Sequence, residues 1–324
     1  MTKSHLIDFP GITTGSLIDF VRGETPGAGL LQPFEDPAGL PGLPGPTPAG
    51  LPRVRGSGIL PGQIPPYWPS QPAPAKRLSP IFESVSLPPA IAKLLATPIA
   101  EFQKQRALPA TGEQVTHAAL LLDESGSMDK HKAAVLEGFN AQVKVVKKGA
   151  KSAGSTFVSL DLFAGTSRPV LSNTSARSLK PLKPEQYCPN GGTGLFDAIG
   201  LAVARLLDLP YADDPNASFL VAAFTDGEEN SSRVFTGTVL KEVLARLEAT
   251  GRWTFTLMGP TGGAEEIAGV LNLHAGNVAS FNPAQAASVQ QAFTNMAQAS
   301  ETYLHSRSVG LRGSTTLYSA GKED

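Results

Sequence analysis

Three short segments carry side chains whose types and spacing suit one kind of chemistry. They are Asp123-Glu124-Ser125-Gly126-Ser127-Met128, Gly191-Gly192-Thr193-Gly194 and Thr225-Asp226-Gly227. Brought together, Asp123, Ser125, Ser127, Thr193 and Asp226 offer hydroxyl and carboxylate oxygens and nothing softer. An all-oxygen set suits a hard cation that keeps some water, Mg2+ first, with Mn2+ or Ca2+ as substitutes; zinc prefers His or Cys. With only two carboxylates in the set, such a cation stays electrophilic and keeps a coordination position for an acidic group from outside.

The segments need elements to bring them together. Each follows or precedes an element with a clear pattern. Residues 115–122 form an apolar run that suits a buried parallel strand, and it leads directly into Asp123. The run 218–224 does the same ahead of Thr225 and Asp226, and Thr193 stands just before a helix expected over 195–207. Val135, Phe139, Val143 and Val146 recur at helical spacing after the first segment. Further strands are expected over 156–163, 169–171, 253–258 and 277–281, with helices over 238–249, 264–271 and 283–304. Strands alternating with helices imply an α/β fold, a doubly wound and mostly parallel sheet covered on both faces. Ligands of such sheets sit beyond the carboxyl ends of the strands, where the winding direction switches. All three segments belong there.

The pattern resembles the von Willebrand factor A (vWA) family over residues 114–306. Asp123, Ser125 and Ser127 match its Asp-x-Ser-x-Ser element, Thr193 its threonine and Asp226 its later aspartate. The flanking Gly126-Ser127-Met128 and Gly191-Gly192-Thr193 are similar to intracellular bacterial or phage-type versions. The resemblance implies a metal-ion-dependent adhesion site in which serines and threonine touch the ion and aspartates act partly through water. It also implies a protein-binding module that captures a partner's Asp or Glu, an adaptor or assembly factor working beside an AAA+ ATPase of the MoxR type. One Asp-x-Ser-x-Ser is a weak signal; three elements in order at strand ends are a strong one.

Neighbouring residues have plainer readings. Asp197 lies one helical turn past Thr193 and either orients the loop or faces solvent, the second being the commoner case. Glu124, Asp129, Glu228 and Glu229 are expected on an acidic rim, and His131 on the surface, since a hydroxyl site needs no imidazole. His274 and His305 are isolated, and Cys188 reads as a small half-buried side chain. Catalysis is not expected. An aspartyl-phosphate phosphatase needs a second carboxylate two residues after Asp123, where Ser125 stands. No Gly-x-Ser-x-Gly frame and no phosphate-cradling Gly-x-x-x-x-Gly-Lys-Ser/Thr loop occurs either.

Composition divides the chain. Of its 324 residues 28 are Pro and 33 Gly, too many for one uniform domain, and the prolines crowd into the first third. The expected organisation is an N-terminal segment (1–22), a Pro/Gly-rich extended arm (23–86), a short helical segment (87–110), the vWA domain (111–306) and a tail (307–324). Leu60, Ile64, Tyr67 and Trp68 in the arm are either spacer or docking residues. A formal net charge of −1 gives no basic excess for nucleic acid, and Lys144, Lys147, Lys148 and Lys151 suit the end of a helix. One cysteine forms no intrachain disulfide, and neither a signal peptide nor an apolar span is apparent, so a cytoplasmic setting is expected. A structural component of a virion or other particle, with its arm threaded over neighbours, is the alternative. A cell-surface adhesin ranks third, because it would need an export signal.

Overall fold

The computed structural model describes residues 86–319. The readings made for the N-terminal segment and for the Pro/Gly-rich arm, its docking residues included, lie outside these residues.

Six strands form one sheet: β1 (Val115–Asp123), β2 (Ser155–Phe163), β3 (Ser167–Ser175), β4 (Ala217–Phe224), β5 (Trp253–Pro260) and β6 (Val278–Phe281). Their order is β3-β2-β1-β4-β5-β6, with β3 antiparallel to β2 and all other pairs parallel. The fold is therefore α/β, a mostly parallel sheet wound in both directions from β1 and β4. β3 is longer than the 169–171 run suggested, because its antiparallel edge position lets most of its side chains meet water.

Strand periodicity sorts the core into two halves. Ala118, Leu120 and Leu122 of β1, with Leu220, Ala222 and Phe224 of β4, face helices α3 (Lys132–Gly149) and α7 (Ala286–Ser308). Ala119 and Leu121, with Phe219, Val221 and Ala223, face α4 (Leu195–Leu207), α5 (Gly237–Ala249) and α6 (Gly263–Leu271). Phe224 stacks on Phe281 and Phe293, with ring centroids 5.1 and 4.4 Å away. Such pairs add about 0.5–1.5 kcal/mol each beyond burial and fix the strand end that leads into Asp226.

Two short helices precede the sheet, α1 (Pro89–Ala96) and α2 (Ile99–Arg106). Pro98 separates them, since it cannot continue α1 and forces an extended residue before it. Ile91 and Leu94 of α1 are buried in the α4–α5 face, so this segment packs on the sheet domain. At the other end α7 runs on to Ser308, and Leu317 is buried, its amide donating to Asn277 Oδ1. Among the described residues no helix is long and apolar enough to cross a membrane.

Candidate metal centre

β1 and β4 are the adjacent strands from which the winding diverges, and Leu122 pairs with Phe224 at their carboxyl ends. Asp123 and the Thr225-Asp226 pair therefore leave the sheet side by side. Asp123 is fully buried. Its Oδ1 accepts from the Ser125 amide (2.6 Å) and its Oδ2 from the Thr225 hydroxyl (2.5 Å). The Tyr187 hydroxyl donates to its carbonyl at 2.5 Å. Burial pushes the Asp123 carboxyl up to about 6, with Asp226 adding to the shift and the Ser125 and Thr225 hydrogen bonds opposing it.

Gly126 to His131 form a 3-10 turn ahead of α3. Within it the Ser127 hydroxyl lies 3.1 Å from that of Ser125 and donates to Asp226 Oδ1 at 2.6 Å. The Gly126 amide donates to the Gly191 carbonyl (3.0 Å), which ties the first loop to the second. Thr193 is held from both sides: its amide donates to Asn230 Oδ1 (2.9 Å), and its carbonyl accepts from the Asn230 and Ser231 amides. Gly192 lies against Ser231 and Asn230, which leave no room for a side chain. A Cβ on Gly227 would stand 3.1 Å from Thr193 Oγ1 and 3.8 Å from Ser127 Oγ, so both hydroxyls face one small space that glycine keeps open. The structure brings Asp123, Ser125, Ser127, Thr193 and Asp226 to one edge of the sheet.

Several neighbours differ from expectation. Asp197 is buried rather than solvated, and its carboxylate accepts the amides of Arg233, Val234 and Phe235 at 2.8–2.9 Å. His131 is buried as well, with Nε2 3.6 Å from Asp226 Oδ2; burial lowers its pKa, against the pull of Asp226. The 3-10 turn is the reason, since it tucks residue 131 beneath the loop instead of starting a helix whose face meets water. Cys188 is exposed, not half-buried. Glu124 turns inward to a two-pronged pair with Arg168 (2.7 and 2.8 Å), while Glu228 and Asp129 stay exposed on the rim. Glu229 is half-buried and accepts the Phe196, Ser231 and Ser232 amides. Arg168, Glu229 and Asn230 carry no motif, and their partners Glu124, Phe196 and Thr193 lie 33 to 44 positions away in sequence, so no local signal singles them out.

The donor chemistry fits a hard cation. Asp226 Oδ2 is buried and accepts no hydrogen bond, although the other oxygen is fully engaged. Among the described residues no three His, Cys, Asp or Glu side chains gather into a metal cluster, so an ion here depends on the hydroxyls.

No family model matches the chain, and no curated protein matches it. Solved structures do. A von Willebrand factor type A protein from Catenulispora acidiphila is 16% identical, with 58% of this chain and 43% of that one covered and a TM-score of 0.39. The ArnB paralog VWA2 from Sulfolobus acidocaldarius is 14% identical (58% and 46% covered, TM-score 0.39). The PilB minor pilin from Streptococcus sanguinis is 12% identical (61% and 64% covered, TM-score 0.42). The chain spans less than two thirds of the length of each. At such identities function is read from this chain's own side chains.

Proposed function

We propose that the domain is a protein-interaction module that uses one divalent cation, Mg2+ with Mn2+ or Ca2+ as substitutes, to capture an Asp or Glu of a partner. The supporting observation is the convergence at one sheet edge of the Ser125, Ser127 and Thr193 hydroxyls with two buried carboxylates, one of which has an oxygen without a partner. Asp123, Ser125, Ser127, Thr193 and Asp226 would hold the ion. When bound, the cation supplies a positive centre with room for an external carboxylate. The residues do the rest: Thr225 and the Ser125 amide orient Asp123, Asn230 fixes Thr193, and Ser127 orients Asp226.

Glu228 and Asp129 keep the rim acidic, so an acidic partner gains little from long-range attraction, and its affinity rests on the ion. No proton-transfer group stands two residues after Asp123, which favours binding over catalysis. The finer reading is an adaptor or assembly factor beside an AAA+ ATPase of the MoxR type, the ATPase or its client presenting the acidic residue. Asp123→Ala should abolish Mn2+ binding in calorimetry and Mg2+-dependent pull-down of the ATPase, with circular dichroism unchanged. Pull-down that persists in EDTA would overturn the reading.

A further inference from the structure

Asp226 is gripped on one side only. Ser127 satisfies Oδ1, whereas Oδ2 is buried without a partner. The nearest groups to that second oxygen are His131 Nε2 at 3.6 Å and Lys130 Nζ at 3.7 Å. The two are not equivalent. Lys130 is 58% exposed, a mobile charge that water screens. His131 is 8% exposed, and its Nε2 is itself buried with no partner. Two buried polar atoms thus face each other across a gap slightly longer than a hydrogen bond, and among the described residues neither has a hydrogen-bond partner.

The chain makes this placement from a single turn. Ser127 and His131 lie near the two ends of the same 3-10 segment, Gly126–His131, so one short segment reaches toward both oxygens of one carboxylate. His131 is also the residue at the start of α3, yet its ring makes no capping bond there and is free for another task. We propose that His131 is a positioning residue that donates its Nε2–H to Asp226 Oδ2, so that one turn clamps the carboxylate and holds Oδ1 toward Ser127 and the cation. This rests on the cation-binding reading above. The contact requires the tautomer with hydrogen on Nε2, and it acts on the ion only through Asp226.

The test uses the full chain with Mn2+ alone as probe. His131→Ala should bind Mn2+ about 10–100-fold more weakly, the usual cost of losing a group that orients a ligand. His131→Gln, which keeps an N–H donor at similar reach, should recover most of that loss. Nitrogen NMR of the histidine ring in metal-free wild type should show hydrogen on Nε2. Wild-type affinity in His131→Ala would overturn the proposal, and so would a bare Nε2. Should the alanine variant not fold, the glutamine variant and the tautomer still decide. A wild type that binds no Mn2+ would remove the cation reading, and the ring tautomer would then decide the contact by itself.

Discussion

At the amino-terminal edge of the sheet Arg307 is 1% exposed and Arg252 2% exposed, and both guanidinium groups are engaged. Arg307 donates to the Asn216 carbonyl at 2.9 Å, the Leu311 carbonyl at 2.7 Å and the Thr116 hydroxyl at 3.2 Å. Arg252 donates to the carbonyls of Ala212 and Asp214 and to Gln105 Oε1. At the carboxyl-terminal edge of the same strands Asp226 is equally hidden, at 8%, yet one charged oxygen accepts nothing. Ser218 Oγ and Gln114 Oε1, near the first edge, also lack partners, but they carry no charge and cost far less. The contrast separates burial from satisfaction. Both guanidinium groups are held by the fold's own acceptors, whereas Asp226, like Asp161 with its Oδ2 on Arg205, has one carboxylate oxygen without a hydrogen bond among the described residues. Of the two, only Asp226 stands beside the hydroxyls proposed to hold a cation.

The largest test of this contrast removes a satisfied charge. Arg307→Met keeps the apolar stem and strips the donors from at least three buried acceptors. Stability in urea should fall by about 3 kcal/mol or more, since each hydrogen bond to a charged group is worth about 1.5–3 kcal/mol. Mn2+ affinity at low denaturant should stay within a factor of two, because the site lies at the opposite ends of the strands. A loss below about 1 kcal/mol would mean that the amino-terminal edge is not held as argued.

His117, in β1 between the two edges, gives a titrating version of the same comparison. Its ring nitrogens meet the Tyr211 and Ser159 hydroxyls at 2.9 Å each, and burial lowers its pKa to about 4. The unfolded chain takes up this proton near 6.5 while the folded chain refuses it until about 4. His117 therefore favours the folded state fully above pH 6.5, and that contribution drains away as pH falls toward 4. The total is about 3 kcal/mol by linkage. Subtracting the pH–stability curve of His117→Gln from that of the wild type should isolate this slope. A flat difference between pH 6.5 and 4 would mean that the ring accepts a proton without leaving its place.

The sheet and the meeting of Asp123, Ser125, Ser127, Thr193 and Asp226 at one edge of it were legible because their signals are local. An apolar run followed at once by Asp123 or by Thr225-Asp226 names both a buried strand and its chemical end. The bracing residues were not legible, because their roles depend on where other loops arrive. Asp197 sits on the helix face met by the 233–235 amides, and nothing in its own helix announces that segment. His131 was placed on the surface because a hydroxyl site needs no imidazole, and the 3-10 turn that buries it has no periodicity separating it from a first helical turn. Glu124 pairs with Arg168 across 44 positions of sequence, a distance that no motif spans.

The smallest effect is the sharpest, since it asks whether an unsatisfied charge harms the fold that carries it. Asp226→Asn keeps an oxygen to accept from Ser127 and removes the charge whose second oxygen is stranded. In EDTA its stability should lie within about 1 kcal/mol of the wild type, because the desolvation cost of the buried carboxylate is removed together with its weak pairing to the exposed Lys130 at 3.7 Å. With Mn2+ at about a hundred times its dissociation constant the wild type should gain about 2.7 kcal/mol and the variant nothing. Thermal or urea unfolding with and without the ion reads both numbers. A variant less stable than the wild type in EDTA by more than about 1 kcal/mol would place Asp226 with Arg307 among the groups that serve the fold. The difference between the two edges would then be one of geometry alone.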